Sequence, residues 1–161
     1  MTQRPNALRP TRRALLAGAA AFPGAGMFSI LAISPARAAK PDSLEAAIRE
    51  FVGDAQVRED RVKLDIPPLV DNGNSVTLTV SVESPMTAAD HVKKIAVFNE
   101  KNPQANVAVF HLGPRSGKAQ VQTRIRLATS QKLVAIAEMS DGSFWSASAD
   151  TIVTLAACLE G

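Results

Sequence analysis

The stretch Val76-Thr-Leu-Thr-Val-Ser-Val82 sets an apolar side chain at every second position, with a small hydroxyl residue between. Successive side chains of a strand point to opposite faces, so a strict period of two marks a strand with one buried and one wet face. A helix would scatter the same four apolar groups around its circumference. The pattern recurs along most of the chain after residue 57. Val62, Leu64 and Ile66 alternate with polar neighbours until Pro67-Pro68 ends the strand. Residues 119–127 set Val121, Thr123, Ile125 and Leu127 on one face, with Gln120, Gln122, Arg124 and Arg126 on the other. Residues 92–98, 107–112, 133–139, 144–147 and 151–155 complete the set. Turn signals separate these runs: Asp71-Asn-Gly-Asn74, Ser84-Pro85, Asn99-Glu-Lys-Asn-Pro103, Gly113-Pro114 and the hairpin tetrad Ser140-Asp-Gly-Ser143.

One segment departs from this period. In Asp42-Ser-Leu-Glu-Ala-Ala-Ile-Arg-Glu-Phe-Val52, the residues Leu44, Ile48, Phe51 and Val52 fall on a stripe at helical spacing. Asp42 is placed to cap this helix with Glu45 three positions on, and Gly53 to stop it. One short helix followed by about eight short strands predicts an all-β fold, an immunoglobulin-like antiparallel β-sandwich. With no second helical pattern, a doubly wound α/β fold is excluded. A single cysteine excludes the inter-sheet disulfide of antibody domains.

Ahead of the helix the composition changes. Arg4, Arg9, Arg12, Arg13 and Arg37 precede residue 38 with no acidic residue among them, whereas from Ala39 onward 13 Lys and Arg face 15 Asp and Glu, a net charge of −2. The overall charge of +3 thus belongs to the leader and gives no reason to expect a nucleic-acid partner. Residues 1–38 read as a twin-arginine signal peptide: Arg12-Arg13, a weakly apolar stretch from 14 to 33, then Ala36-Arg37-Ala38 with small residues at the two positions a signal peptidase reads. Pro23, Gly18, Gly24 and Gly26 interrupt that stretch, unlike a membrane anchor. The expected organisation is a leader at 1–38, a sandwich at 39–155 and a tail at 156–161, with export to a bacterial periplasm. Twin-arginine export handles folded cargo, so a partner subunit carried across with this chain is expected too.

The chain offers little catalytic material. It has no Gly-rich phosphate loop, no Cys-x-x-Cys pair and no His-Glu-x-x-His stretch. His91 and His111 sit at the edges of different strands, so a shared metal site would need a third ligand; none is expected, and no cofactor either. Arg115, Lys118, Arg124 and Arg126 form either a basic patch or an ordinary solvated face. What stands apart is the lone cysteine, Cys158, beyond the final strand and without a partner. Leu155-Ala-Ala-Cys158 imitates a lipobox and Cys158-Leu-Glu-Gly161 a prenylation box, but both lack the required context. A thiol in an oxidising compartment is exposed to oxidation. It suits a covalent carrier, presenting a thiolate-bound substrate to other proteins on an extended arm reaching roughly 10 Å from Leu155.

Six stretches carry a family resemblance. They are Lys63-Leu-Asp-Ile-Pro67, Asp71-Asn-Gly-Asn-Ser-Val76, Ser84-Pro-Met-Thr-Ala-Ala-Asp-His-Val92, Val109-Phe-His-Leu112, Thr123-Arg-Ile-Arg-Leu-Ala128 and Val134-Ala-Ile-Ala-Glu-Met-Ser-Asp-Gly-Ser-Phe-Trp-Ser-Ala147. Together they resemble SoxY, the substrate-carrier subunit of the bacterial sulfur-oxidation system, over essentially the whole exported chain. The resemblance implies a heterodimer with a smaller sandwich, SoxZ, and covalent attachment of sulfur species such as thiosulfate to a cysteine near the end of the chain. It also implies transient docking to three enzymes: the haem-containing SoxAX for loading, the manganese hydrolase SoxB for removing sulfate, and SoxCD for oxidising the retained sulfur. By position Cys158 takes the attachment role, and the chain is then a carrier subunit, not an enzyme.

The family's tail is typically Gly-Gly-Cys-Gly-Gly, whereas this one reads Ala156-Ala-Cys-Leu-Glu-Gly161. Alanines restrict an arm that glycines leave free. Glu160 sets negative charge beside the sulfur, which disfavours the thiolate and repels anionic substrates. Two other readings are set against the carrier: a periplasmic interaction protein whose Cys158 forms an interchain disulfide and carries nothing, and a small enzyme pairing Cys158 with His91 or His111.

Overall fold

The computed structural model describes residues 43–157. The leader with Arg12, Arg13, Ala36 and Ala38 lies outside them, as do Asp42 and the stretch that starts at Cys158. In chain order the elements are helix α1 (Leu44–Val52) and strands β1 (Val57–Glu59), β2 (Val62–Asp65), β3 (Leu69–Asn72) and β4 (Val76–Val82). Strands β5 (Val92–Asn99), β6 (Asn106–His111), β7 (Gln120–Ile125), β8 (Gln131–Met139) and β9 (Phe144–Leu155) follow, with one 3-10 turn at Pro114–Ser116.

The strands form two sheets. The smaller is antiparallel in the order β2-β4-β7, and the larger runs β1-β9-β8-β5-β6, with β3 also paired to β9. Val76, Leu78, Val80 and Val82 turn inward from the small sheet, against Ile95, Val97, Leu133, Ala135, Ala137 and Met139 of the large one. This is a β-sandwich whose core is built from alternate residues of both layers.

The other face of the large sheet is covered as well. Ala96, Phe98 and Ile136 pack under Leu44, Ile48, Phe51 and Val52 of α1. Phe51 stands edge-on to Phe98 at 5.8 Å and to Phe144 at 5.9 Å between ring centroids. Burial on both faces is why β5 and β8 read as nearly unbroken apolar runs, in contrast to β4. The helical stripe thus packs as expected, and Gly53 ends the helix at φ 63° with its N–H donating to Arg49 O. The cap differs from expectation: Ser43, not Asp42, is the N-cap, its hydroxyl accepting from Ala46 N at 3.2 Å. A hydroxyl one position closer to the first turn reaches the orphan N–H directly.

Three further expectations are corrected. The sheet is not wholly antiparallel, since β1 and β3 both run parallel to β9. A period of two fixes which face is buried and is blind to strand direction, so alternation cannot show this. Residues 144–155 form one continuous twelve-residue strand, not two. Asp71 and Asn72, assigned to a turn with Gly73 and Asn74, instead belong with Leu69 and Val70 to a separate strand. The hairpin at residues 140–143 is as expected, with Gly142 at φ 82°. Among the described residues, no helix is long and apolar enough to cross a membrane.

Candidate functional site

The site of interest is the far end of β9, where the described chain approaches Cys158. Over residues 144–151, β9 pairs with β8 on one side. Beyond Thr151 it outruns β8, and other groups take up its backbone. Val153 N donates to Ser130 Oγ at 2.9 Å, continuing the missing ladder by a side chain. On the opposite side Ile152 N donates to Pro68 O at 2.9 Å, and β3 pairs in register Leu69↔Ile152, Val70↔Val153 and Asn72↔Leu155. Hydroxyls add to this: Thr151 Oγ1 donates to Pro67 O at 2.8 Å and Thr154 Oγ1 to Asp71 O at 3.0 Å. The end of β9 is therefore held from both flanks, satisfying backbone groups that would otherwise be orphaned.

The hydrogen bonding does not stop with the strand. Gly73 N donates to Leu155 O at 2.9 Å, Leu127 N to Gly73 O at 2.9 Å, and Ala157 N to Leu127 O at 3.2 Å. Gly73 is a glycine for want of space: a Cβ there would lie 2.4 Å from Leu127 O, 3.0 Å from Ala157 N and 3.1 Å from Val153 Cγ1. Its φ is not positive, so conformational freedom is not the reason. The loop carrying Leu127 is itself braced. Asn102 Nδ2 donates to Arg126 O at 2.8 Å, while Asn102 Oδ1 accepts from Ala128 N and Gln131 Nε2, both at 2.9 Å. Leu127 is fully buried and Ala157 nearly so. The root of the cysteine-bearing stretch thus lies at Ala157, two residues beyond Leu155, where the expected 10 Å arm begins.

Near this root three large apolar side chains stand exposed. Leu69, Ile152 and Leu155 are 58%, 59% and 61% exposed, and all belong to the β3–β9 pair. The sequence alone does not mark them as a group, because β3 carries no strand pattern of its own.

The histidines stand elsewhere. His111 pairs opposite Lys94, and His91 precedes Val92, which pairs with Met139 at the finishing end of β8. Ala157 belongs to the end where β8 begins, so the nine residues of β8, roughly 30 Å at strand rise, separate the two. His91 Nδ1 lies 3.1 Å from Thr87 O, an ordinary loop contact. No group of three or more His, Cys, Asp or Glu among the described residues could hold a metal ion.

Three of the four basic residues border separate depressions, and Arg115 lies in the 3-10 turn. Arg126 lines a cavity of about 450 Å³ with the amides of Asn99, Asn102, Gln104 and Asn106. Arg124 faces a different depression beside Thr77 and Gln122, and Lys118 a third beside Ser81 and Ser84. Lys101 pairs with Glu100 at 2.9 Å near the start of β8, and a larger cluster of charges lies at its other end. Glu138 takes both Lys93 and Lys94, the latter at 2.9 Å. Burial pushes its carboxyl up, but hydrogen bonds from the two lysines outweigh this and hold it below the usual glutamate range. Asp141 is likewise lowered, first by the Ser143 hydroxyl and then by the Ser143 N–H.

These features define a class: a small, helix-covered β-sandwich that fixes and presents one end of its longest strand. Comparison with known proteins makes this specific. The family model described as sulfur oxidation protein SoxY matches residues 48–158. The chain belongs to the SoxY family. Among solved structures, the sulfur carrier protein SoxY from Chlorobium limicola f thiosulfatophilum is 27% identical, covers 70% of this chain and 97% of its own, and superposes with a TM-score of 0.59. Two superoxide reductases share the fold alone. The one from Ignicoccus hospitalis is 22% identical over 58% of this chain and 80% of its own (TM-score 0.52), and the one from Nanoarchaeum equitans is 13% identical over 59% and 99% (TM-score 0.51). A search of curated proteins returns no match.

Proposed function

We propose that this chain is a covalent carrier of sulfur intermediates in thiosulfate and sulfur oxidation, with Cys158 as the attachment residue and no active site of its own. The observation that carries this reading is the position of Cys158 in the sequence. The SoxY match runs through residue 158, and the residue before Cys158 is hydrogen-bonded into the sandwich. The sulfur carrier protein SoxY of Chlorobium limicola f thiosulfatophilum, whose fold this chain shares along most of its length, supports the carrier role. The distance of both histidines from Ala157 speaks against a Cys-His nucleophile pair.

In loading, the Cys158 sulfur forms a disulfide bond with the outer sulfur of thiosulfate. Two electrons pass to the haem of a SoxAX-type enzyme, and the thiol proton goes to water. A SoxB-type hydrolase then adds water across the bond between sulfur and the sulfonate, releasing sulfate and a proton and leaving a persulfide for a SoxCD-type enzyme. The reading extends to a SoxZ-like sandwich as the heterodimer partner, an immunoglobulin-like class for this sandwich, and a periplasmic site of action. Export would run through the twin-arginine signal at Arg12-Arg13, with cleavage after Ala36-Arg37-Ala38.

The test is intact mass of the purified pair after incubation with thiosulfate and the loading haem enzyme. A thiosulfate adduct is expected on the native chain and none on Cys158→Ala. A native chain that gains no adduct, while a version with a Gly-Gly-Cys-Gly-Gly tail does, overturns the carrier reading for this sequence. A disulfide-linked dimer on a non-reducing gel, with little free thiol, would favour the interaction-protein reading instead.

A further inference from the structure

We propose that Gly73 and the main chain of Leu127 form a clamp that fixes the root of the carrier stretch at Ala157, making Gly73 a positioning residue for Cys158. This rests on the reading of Cys158 as the attachment residue.

The clamp is a closed run of backbone hydrogen bonds: Gly73 N to Leu155 O, Leu127 N to Gly73 O, and Ala157 N to Leu127 O, at 2.9, 2.9 and 3.2 Å. Three segments far apart in sequence meet there. The space between them admits a hydrogen but no methyl, since a Cβ on Gly73 would stand 2.4 Å from Leu127 O. The contact is to backbone oxygen, which cannot swing aside as a side-chain tip would. Behind it, Asn102 fixes both neighbours of Leu127, and Gln131 fixes Asn102. The chain up to Ala157 is thereby part of the rigid body, and Cys158 is bonded directly to it. Ala156 and Ala157 then restrict nothing that has to move. Ala157 is a buried residue of the fold, 9% exposed. Its methyl serves packing where a glycine would leave a gap.

Holding a reacting group in place is worth a large factor in rate, and a displacement of about 1 Å can cost up to about a hundredfold. Gly73→Ala must push Leu127 O and Ala157 N apart. Ala157→Pro deletes one clamp donor while leaving the sheet ladders untouched. Thr154→Val serves as control, removing the hydroxyl bond to Asp71 O on the same strand but no clamp bond.

Because Cys158 is the chain's single cysteine, a nitroxide reagent labels it alone. On the full chain, the native label should show hindered motion by electron spin resonance. Gly73→Ala and Ala157→Pro should both raise the fast-moving fraction severalfold, and Thr154→Val should not. Loading of unlabelled protein with thiosulfate should slow about tenfold in both clamp variants, within the range expected for misplacement. Equal label motion in native protein and Ala157→Pro overturns the clamp. Release by Thr154→Val to the same extent as by Gly73→Ala reduces it to general loosening, which also overturns it. A freed label with unchanged loading rate overturns the positioning role. Hindered native motion released by both variants, in a chain that never loads, sinks the carrier reading and leaves the clamp standing.

Discussion

At Glu138 burial and pairing act against each other. The side chain lies in a strand that is otherwise apolar from Leu133 to Met139, yet Lys93 and Lys94 both reach it. A buried carboxylate survives when donors replace its water. Glu138→Gln keeps the shape but loses charge on one side of two ion pairs, and should cost about 1–2 kcal/mol in urea unfolding at neutral pH. The sign of the pH dependence follows from the lowered carboxyl. Its stabilising contribution is complete above the ordinary glutamate value of 4.5 and is lost as pH falls through the lower folded value. The gap between native protein and Glu138→Gln should therefore narrow as acid is added below pH 4.5; a gap that widens would contradict the assignment.

Gly73 shows why some residues resist reading from sequence. Between Asn72 and Asn74 it has every mark of a turn glycine, and Asn74 N does donate to Asn72 Oδ1 at 2.9 Å. The reason for a glycine comes from Leu127 and Ala157, which no local pattern brings near. Cys158, by contrast, is marked by its isolation in the sequence, a property that needs no fold to be seen.

At the scale of elements, α1 is the lid on the second face of the large sheet. Its amphipathic stripe is legible at once, as is β4, because each has a single wet face to set the period. Strand β3 is not, because two apolar residues before a turn signal are too few for a pattern. Strand β9 reads as two because Ser148, Ala149 and Asp150 have weak strand preference; pairing with β8 along residues 144–151 overrides it. The direction of β1 and β3 depends on which edge of the sheet they join, which lies outside any local rule. Phe51 is the contact that ties the lid down. Phe51→Ala should cost about 2 kcal/mol, less than for a fully buried ring because Phe51 is only partly buried. Denaturant unfolding would check it, and a change below a few tenths of a kcal/mol would show the helix to be dispensable.

For the whole molecule, protection should follow layering. Strands β5 and β8 lie inside the large sheet with both faces covered, while β3 and β6 each have a free edge. Amide hydrogen exchange should be slowest at Val97 and Ala135, approaching global unfolding, and faster by at least about tenfold at Leu69 and Val109. The reverse order would show that the edges, not the centre, hold the sandwich together.

Strand β9 has one more property, and it is mechanical. It is the longest strand, held by β8 along one edge and by β1 and then β3 along the other. A pull applied at Leu155, the end of the strand, along its axis runs across its hydrogen bonds. The bonds on both edges then share the load and must fail together, as in shear, instead of parting one at a time like a zip. If Cys158 is the attachment residue proposed above, a partner enzyme that withdraws from it would exert tension along this line of the sandwich. A strand braced in this way would bear such a pull and leave the fold intact.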